Sequence, residues 1–276
     1  ITFGGDDNLT TLKANILRAT LSKVFSDTRK GNLSIVSSDF EKMYKNYYAS
    51  GYTAGATVVT MDGYLDPTER ENTIISGNIV NEVGNHTLLV GVELIDTTNE
   101  NFRYNTFWST TSDDNEVFNI TRPMDFSVNS AGVATSNDYT ADLKSKTKSD
   151  IDVTSFFIQD QIDVSDKLKL MIGGRHDSFD ITVTDVKAGS AAARKDTKFS
   201  PRAGVIFKPQ DNISWYYSYS ESFLPRSGEQ YKKLTASAAA LDPDVYESSE
   251  VGVKWAISDD LSFTAAYFDS EQTIAT

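Results

Sequence analysis

Residues 200–225, "SPRAGVIFKPQDNISWYYSYSESFLP", constrain the fold of this chain more than any other stretch. Val205 and Phe207 share one face of an alternating run. After the turn-forming segment "KPQDN", Ile213, Trp215, Tyr217 and Tyr219 share one face of a second run. The opposite faces carry Arg202, Gly204 and Lys208, then Ser214, Ser218 and Ser220. A period of two with one apolar and one polar row is the mark of a β-strand, and so short a turn joins neighbours in a hairpin. The apolar row must lie against either a protein core or lipid.

The same alternation recurs in ten segments, at 11–25, 32–47, 69–80, 86–96, 151–163, 168–182, 198–208, 213–222, 246–257 and 261–272. No helical period competes with them for long. "TASAAALDPD" (235–244) has room for a turn or two of helix before Pro243 stops it. Short connections rich in turn formers stand at 26–31, 81–85, 164–167, 208–212 and 258–260. Between them lie longer ones at 48–68, 97–150, 183–197 and 223–245. Short and long alternate, so an antiparallel up-and-down meander puts all the tight turns at one end and all the loops at the other. Membrane β-barrels have this arrangement. A soluble β-sandwich also alternates apolar and polar faces, but a structureless loop as long as 97–150 is uncommon in a compact domain. Phe207, Trp215, Trp255 and Phe263 lie beside short turns on the apolar face, where an interfacial aromatic girdle would stand.

Hydrophobic residues make up 39% of the 276, and no run approaches the ~18 consecutive apolar residues that a membrane helix needs. That test is silent on a barrel, in which only alternate residues face lipid. The formal charge of −13 argues against a nucleic-acid partner. With no cysteine, disulfides and thiolate chemistry are excluded. The start, "ITFGGDDNLT", has no signal peptide, and the end, "YFDSEQTIAT", breaks off within a strand pattern; the expectation is a chain truncated at both ends.

Catalytic signatures are missing: no G-x-S-x-G, P-loop, G-x-G-x-x-G or H-E-x-x-H occurs, so no enzyme is expected. His86 and His176 each lack a second histidine at ligand spacing and read as ordinary polar strand residues. The acidic runs "SDDNE" (112–116) and "LDPDVYE" (241–247) lack EF-hand spacing and read as solvated charges.

The segments "TSFFIQDQIDVSDKLKLMIGGRHDSFDI", "KFSPRAGVIFKPQDNISWYYSYSESFLPRSGEQY" and "YESSEVGVKWAISDDLSFTAAYFDSEQT" closely resemble the barrel half of TonB-dependent siderophore receptors. "MDGYLDPTERENTIISGNIVNEVGNHTLLVGVELIDTTNENFRYNT" is similar to an earlier part of the same barrel, and the resemblance is strongest to the ferric-catecholate branch. It implies an all-β, antiparallel transmembrane barrel of about 22 strands whose lumen is closed by a plug. The barrel would lie in the bacterial outer membrane, surrounded by lipid, with periplasmic turns and extracellular loops. A ferric siderophore is the implied ligand, and TonB, engaging a box ahead of the plug, the implied partner. Residues 1–276 would form part of that barrel, about ten strands, without plug, TonB box or C-terminal strands. The siderophore would fill iron's coordination shell, so no protein ligand to iron and no bound cofactor are expected. A TonB-dependent receptor for another nutrient, a passive porin and a soluble β-rich adhesin remain alternatives.

Ferric catecholates are anionic, so cations and stacking aromatics are expected at the mouth. The longest connection supplies Phe102, Arg103, Tyr104, Trp108 and Arg122; the 223–245 connection supplies Arg226, Tyr231, Lys232 and Lys233. Equally, these aromatics can pack loop on loop while the charges stay solvated.

Overall fold

The computed structural model describes residues 8–121, 124–225, 234 and 242–273. Among them it contains eleven strands: β1 (Leu9–Ser26), β2 (Arg29–Gly51), β3 (Val58–Val83), β4 (His86–Asn105), β5 (Glu116–Asn119), β6 (Asp142–Ser165), β7 (Leu168–Asp185), β8 (Ser190–Gln210), β9 (Ile213–Leu224), β10 (Asp244–Ser258) and β11 (Leu261–Thr273). All but β5 form one antiparallel meander in chain order; the short β5 pairs with the start of β3.

The strands are longer than their alternation suggests, and this changes the connections. Residues 48–68 shrink to a link at 52–57, 183–197 to 186–189, and 97–150 to 106–141. The cause is that backbone pairing continues past the apolar band into segments polar on both faces, such as "DPTEREN" at 66–72, where no period of two remains to be read. Pro67 hides the strand further. The ladder from β3 to β2 passes through it, whereas the ladder to β4 lapses at Asp66 and Pro67 and then resumes in the same register, as a residue with no N–H requires on one side. The other ends are tight: the turns at 27–28, 84–85, 166–167, 211–212 and 259–260 have two residues each, and Gly84 takes the positive φ of 60° that its turn demands.

Cross-strand pairing puts Tyr267, Val251, Tyr217, Val205 and Leu170 in one row and Val253, Trp215 and Phe207 in the next, all on a single face. Phe207 stands opposite Trp215, and Trp255 opposite Phe263. The face is uncovered: Trp215 is 49% exposed and Phe156 59%. Lys254, Ser214 and Thr264 oppose one another on the other face. Glycines there are roofed by aromatics: an added Cβ at Gly91 would lie 2.2 Å from Phe157 Cζ, and one at Gly252 2.5 Å from Tyr216 Cζ.

Among the described residues there is no central core. Two small clusters form at the long-connection end. In the first, Trp108 and Phe118 pack on Tyr47, Val59 and Met61, with Phe126 and Tyr139 around them. Alternation along β2 places Tyr47 on the same face as Leu33 and Ile35. The second lies on the polar face, where Leu234 packs on Ile151, Phe179, Ile181 and Val183.

Candidate ligand-binding wall

On the polar face, β2 presents Phe40, Lys42 and Tyr44, and β3 presents Tyr64, Asp66, Thr68 and Arg70, each at spacing two. From β4, Arg103 falls directly across from Asp66. Its guanidinium donates from Nε and Nη2 to the two Asp66 oxygens at 2.7 and 2.6 Å. It also lies 4.0 Å from the centre of the Tyr64 ring. Tyr64 in turn packs near Tyr44 and Tyr48, with ring centres 5.7 and 6.0 Å away. The result is an arginine held over one ring of a tilted aromatic cluster, its charge balanced by one carboxylate.

Two cavities meet at this pair. One, of about 610 Å³, is lined by Phe40, Lys42, Tyr44, Arg70, Asp66 and Arg103. The other, of about 630 Å³, extends past Thr147 to Val183, Ala192 and Leu234. Asn101 lines both; it is 6% exposed, and its Nδ2 has no hydrogen-bond partner among the described residues.

The first cavity differs electrostatically from the rest of the polar face. Lower on the wall, Arg175 is balanced by two carboxylates: it donates to Glu93 at 2.7 Å and Asp177 at 2.7 Å, and also to Ser155 at 2.6 Å. Higher up, Arg194 is clasped by Asp196, both almost fully buried. The described lining of the cavity, by contrast, holds three cations, Lys42, Arg70 and Arg103, and one carboxylate, Asp66, which Arg103 alone contacts. Arg70 Nε donates only to the neutral amide oxygen of Asn99, at 3.3 Å, and Lys42 stands exposed with no carboxylate partner among the described residues. In a chain of net charge −13 this is a local reversal of sign. Arginine on an aromatic face with lysine beside it suits a planar or delocalised anion.

The residues singled out from sequence separate in space. Phe102, Arg103 and Tyr104 belong to strand β4, not to a loop, because pairing with β6 continues through them. Arg103 lines both cavities and Phe102 borders the larger one; Phe102 and Tyr104 stack on each other with 6.4 Å between centres, and Lys146 lies over Phe102. Trp108 does lie in the connection, but at 1% exposure it is a core residue of the folded 106–141 lobe and presents no face to a ligand. Arg122, Arg226, Tyr231, Lys232 and Lys233 lie outside the described residues. Sequence reasoning missed Lys42, Tyr44, Tyr64, Asp66 and Arg70. The signal was present as an i, i+2 polar–aromatic row on the non-apolar face, but the loop reading of 48–68 cut it in two.

The chain matches the family model "TonB dependent receptor-like, beta-barrel" over residues 3–273. It is 32% identical over 132 residues to the probable TonB-dependent siderophore receptor PiuA of Acinetobacter baumannii, covering 44% of this chain and 18% of that protein. It is 29% identical over 194 residues to the ferrichrome outer membrane transporter/phage receptor of Escherichia coli, covering 70% of this chain and 23% of the relative. Among solved structures, the siderophore receptor PiuA from A. baumannii superposes with a TM-score of 0.73 at 19% identity over 96% of this chain and 41% of that one. The ferric-catecholate import receptor Fiu from E. coli gives 0.73 at 16% identity over 98% and 42%. The chain thus spans less than half the length of each of these proteins, and the likeness in structure is one of fold. With the family model matched from end to end of the meander, the chain belongs to the TonB-dependent receptor β-barrel family of the bacterial outer membrane.

Proposed function

We propose that the chain is part of the barrel of a receptor that imports a ferric siderophore of anionic, catecholate type across the outer membrane. The reading includes a plug and a TonB box elsewhere in the same receptor, and TonB as the source of work. The polar face lines the lumen and the apolar face meets lipid. Relatives whose names refer to ferrichrome and to ferrioxamine B, and a structural neighbour named for ferric catecholates, support the siderophore class and leave its chemistry open.

The observation that carries the catecholate reading is the cavity in which Lys42, Arg70 and Arg103 surround one carboxylate beside Phe40 and Tyr44. Its volume of about 610 Å³ lies in the range of small-molecule sites. A ferric tris-catecholate brings negative charge and flat rings, which suit guanidinium and aromatic surfaces. A neutral hydroxamate complex would leave these cations unanswered. Iron itself stays within the siderophore's own ligands, and the wall touches only the exterior of the complex.

The test is titration of the complete receptor with a ferric catecholate and a ferric hydroxamate, followed by tryptophan fluorescence. The catecholate complex should bind more tightly, and Lys42→Gln with Arg70→Gln should weaken it by ~1–3 kcal/mol for each charge-assisted contact with little effect on the hydroxamate. Equal losses for both ligands would overturn the catecholate assignment.

A further inference from the structure

The apolar face is not uniformly studded. Gly31 and Gly77 lie on it in adjacent cross-strand rows, with Gly31 opposite Ile79 and Gly77 opposite Leu33. Phe25 folds over Gly31, its Cε2 2.9 Å from where a Cβ would stand, whereas a Cβ at Gly77 would meet nothing closer than 3.8 Å. The missing side chain leaves an open slot of about 510 Å³, walled by Leu21, Phe25, Leu33, Ile79, Val90 and Phe156. Its lining surface is almost wholly apolar; the polar residues that border it are Asn32, Asn78 and, at one end, Lys23.

Charge along this face is asymmetric. Toward the two-residue turns, Lys23 pairs across from Gly31, and Arg29 lies one row beyond Gly31 on the same strand face. Among the described residues Arg29 commits only Nε, which donates to Asn81 at 3.0 Å, and both cations are exposed. In the opposite direction the same face carries Asp39, Glu71, Asp96 and Asp152. An amphiphile lying in the slot has its anionic end drawn to the short-turn side and repelled from the other.

From this we infer that the slot is a binding site for one glycerophospholipid of the leaflet on the short-turn side. An acyl chain fills the space over Gly77, and the phosphate lies between Lys23 and Arg29. The inference rests on the reading that the apolar face meets lipid. It goes beyond that reading in naming one retained molecule at one place, because a bulk lipid contact needs neither a side-chain vacancy nor a cationic end.

The experiment uses the complete receptor in nanodiscs of phosphatidylethanolamine and phosphatidylglycerol, followed by native mass spectrometry after transfer to mild detergent. Wild type should retain one phospholipid, with phosphatidylglycerol preferred. Gly77→Leu fills the slot with its Cβ no closer than 3.8 Å to any neighbour and should lose the retained lipid. Lys23→Gln with Arg29→Gln alters only exposed side chains; it should keep a lipid and lose the preference for phosphatidylglycerol. Retention by Gly77→Leu equal to wild type overturns the site, and a headgroup preference indifferent to Lys23 and Arg29 overturns the placement of the phosphate. A separate measurement isolates the underlying reading: the chain has no cysteine, so a spin label on Ile35→Cys reports contact with lipid through oxygen accessibility. A label in lipid with no lipid lost from Gly77→Leu removes the slot alone; a label in water removes the reading of the face.

Discussion

Arg103 and Asp66 face each other across β3 and β4 at the place where the backbone ladder between those strands lapses. The side chains bridge what Pro67 interrupts. The pair is partly exposed, so its worth to stability is about 1 kcal/mol or less; its larger effect is on charge. Asp66→Asn leaves Arg103 unneutralised, and the intact receptor should then bind an anionic ferric complex as tightly as wild type or more so. Arg103→Gln should weaken the same complex by ~1–2 kcal/mol. Affinities that fall equally in the two variants would mean that the pair serves only to hold the strands.

Trp108 should prove structural. Its ring packs 4.9 Å from Phe118 and 5.8 Å from Tyr47, centre to centre. Trp108→Ala should cost the 106–141 lobe ~3–5 kcal/mol, seen as rapid proteolysis within that connection, while the strands stay folded. Ligand affinity that falls without any loosening of the lobe would contradict this.

The fold was legible in the sequence wherever one face had to be apolar. Val251, Val253 and Trp255 announce β10 because every second residue is forced to be hydrophobic. Above the apolar band no such constraint acts, and 58–68 and 97–105 continue as strand through backbone pairing that leaves no trace in composition. The site was hidden for the same reason. Arg103 drew notice as a cation in an aromatic stretch, but its partners Asp66, Tyr64 and Tyr44 are joined to it by register alone. Trp108 misled because a buried aromatic and a ligand-stacking one look alike in one dimension.

Two glycines test the glycine packing. At Gly91 a methyl group would meet Phe157 at 2.2 Å and the Gly77 carbonyl oxygen at 2.8 Å, whereas at Gly77 it meets nothing so close. Gly91→Ala should therefore destabilise the barrel by ~1–3 kcal/mol, and Gly77→Ala should be neutral or slightly stabilising. Urea unfolding followed by heat-modifiable gel mobility compares them; equal midpoints would show that Phe157 moves aside freely.

The lobe should respond to acid. Asp125 is held below the usual carboxylate range first by the Ser127 hydroxyl and then by its N–H, and Asp138 by the N–H and hydroxyl of Thr140. Groups with lowered values stabilise above the unfolded Asp pKa of ~3.9 and lose that contribution as pH falls through their folded values. Asp114 runs the other way. Burial, then Asp62 and Asp113, raise it, so its contribution is present at low pH and lost as pH rises through its folded value. The ε-methyl resonance of Met124, which packs on the Trp108 cluster, should lose its packed shift below pH ~4 as Asp125 and Asp138 protonate. An unchanged midpoint in the Asp125→Asn, Asp138→Asn double variant would rule these two groups out as the cause.

The assignment of faces is the most exposed to refutation, because a slip of one residue inverts it throughout. Val253 lies between Trp215 and Ala265 in an apolar row, and one residue on, Lys254 lies between Ser214 and Thr264. Arginine at position 253 would stand in hydrocarbon and should cost ~2–4 kcal/mol near the middle of the band. The control must sit on the other face at the same height and must be free of crowding. Gly252 fails on the second count, since Tyr216 lies over it, and any side chain there displaces the ring whichever face meets lipid. Ser214 is the better choice: it is small, it opposes Lys254 directly, and its face is polar. Ser214→Arg places a second cation directly opposite Lys254, too close for salt to screen, but in a solvated lumen the repulsion of two long, mobile side chains should cost no more than about 1 kcal/mol. The two variants each add one charge, in adjacent rows of the paired strands β9 and β10, which removes depth as an explanation for the contrast. Reversible urea unfolding in lipid vesicles gives both values, and a Ser214→Arg cost equal to that of Val253→Arg would place lipid on neither face in preference to the other.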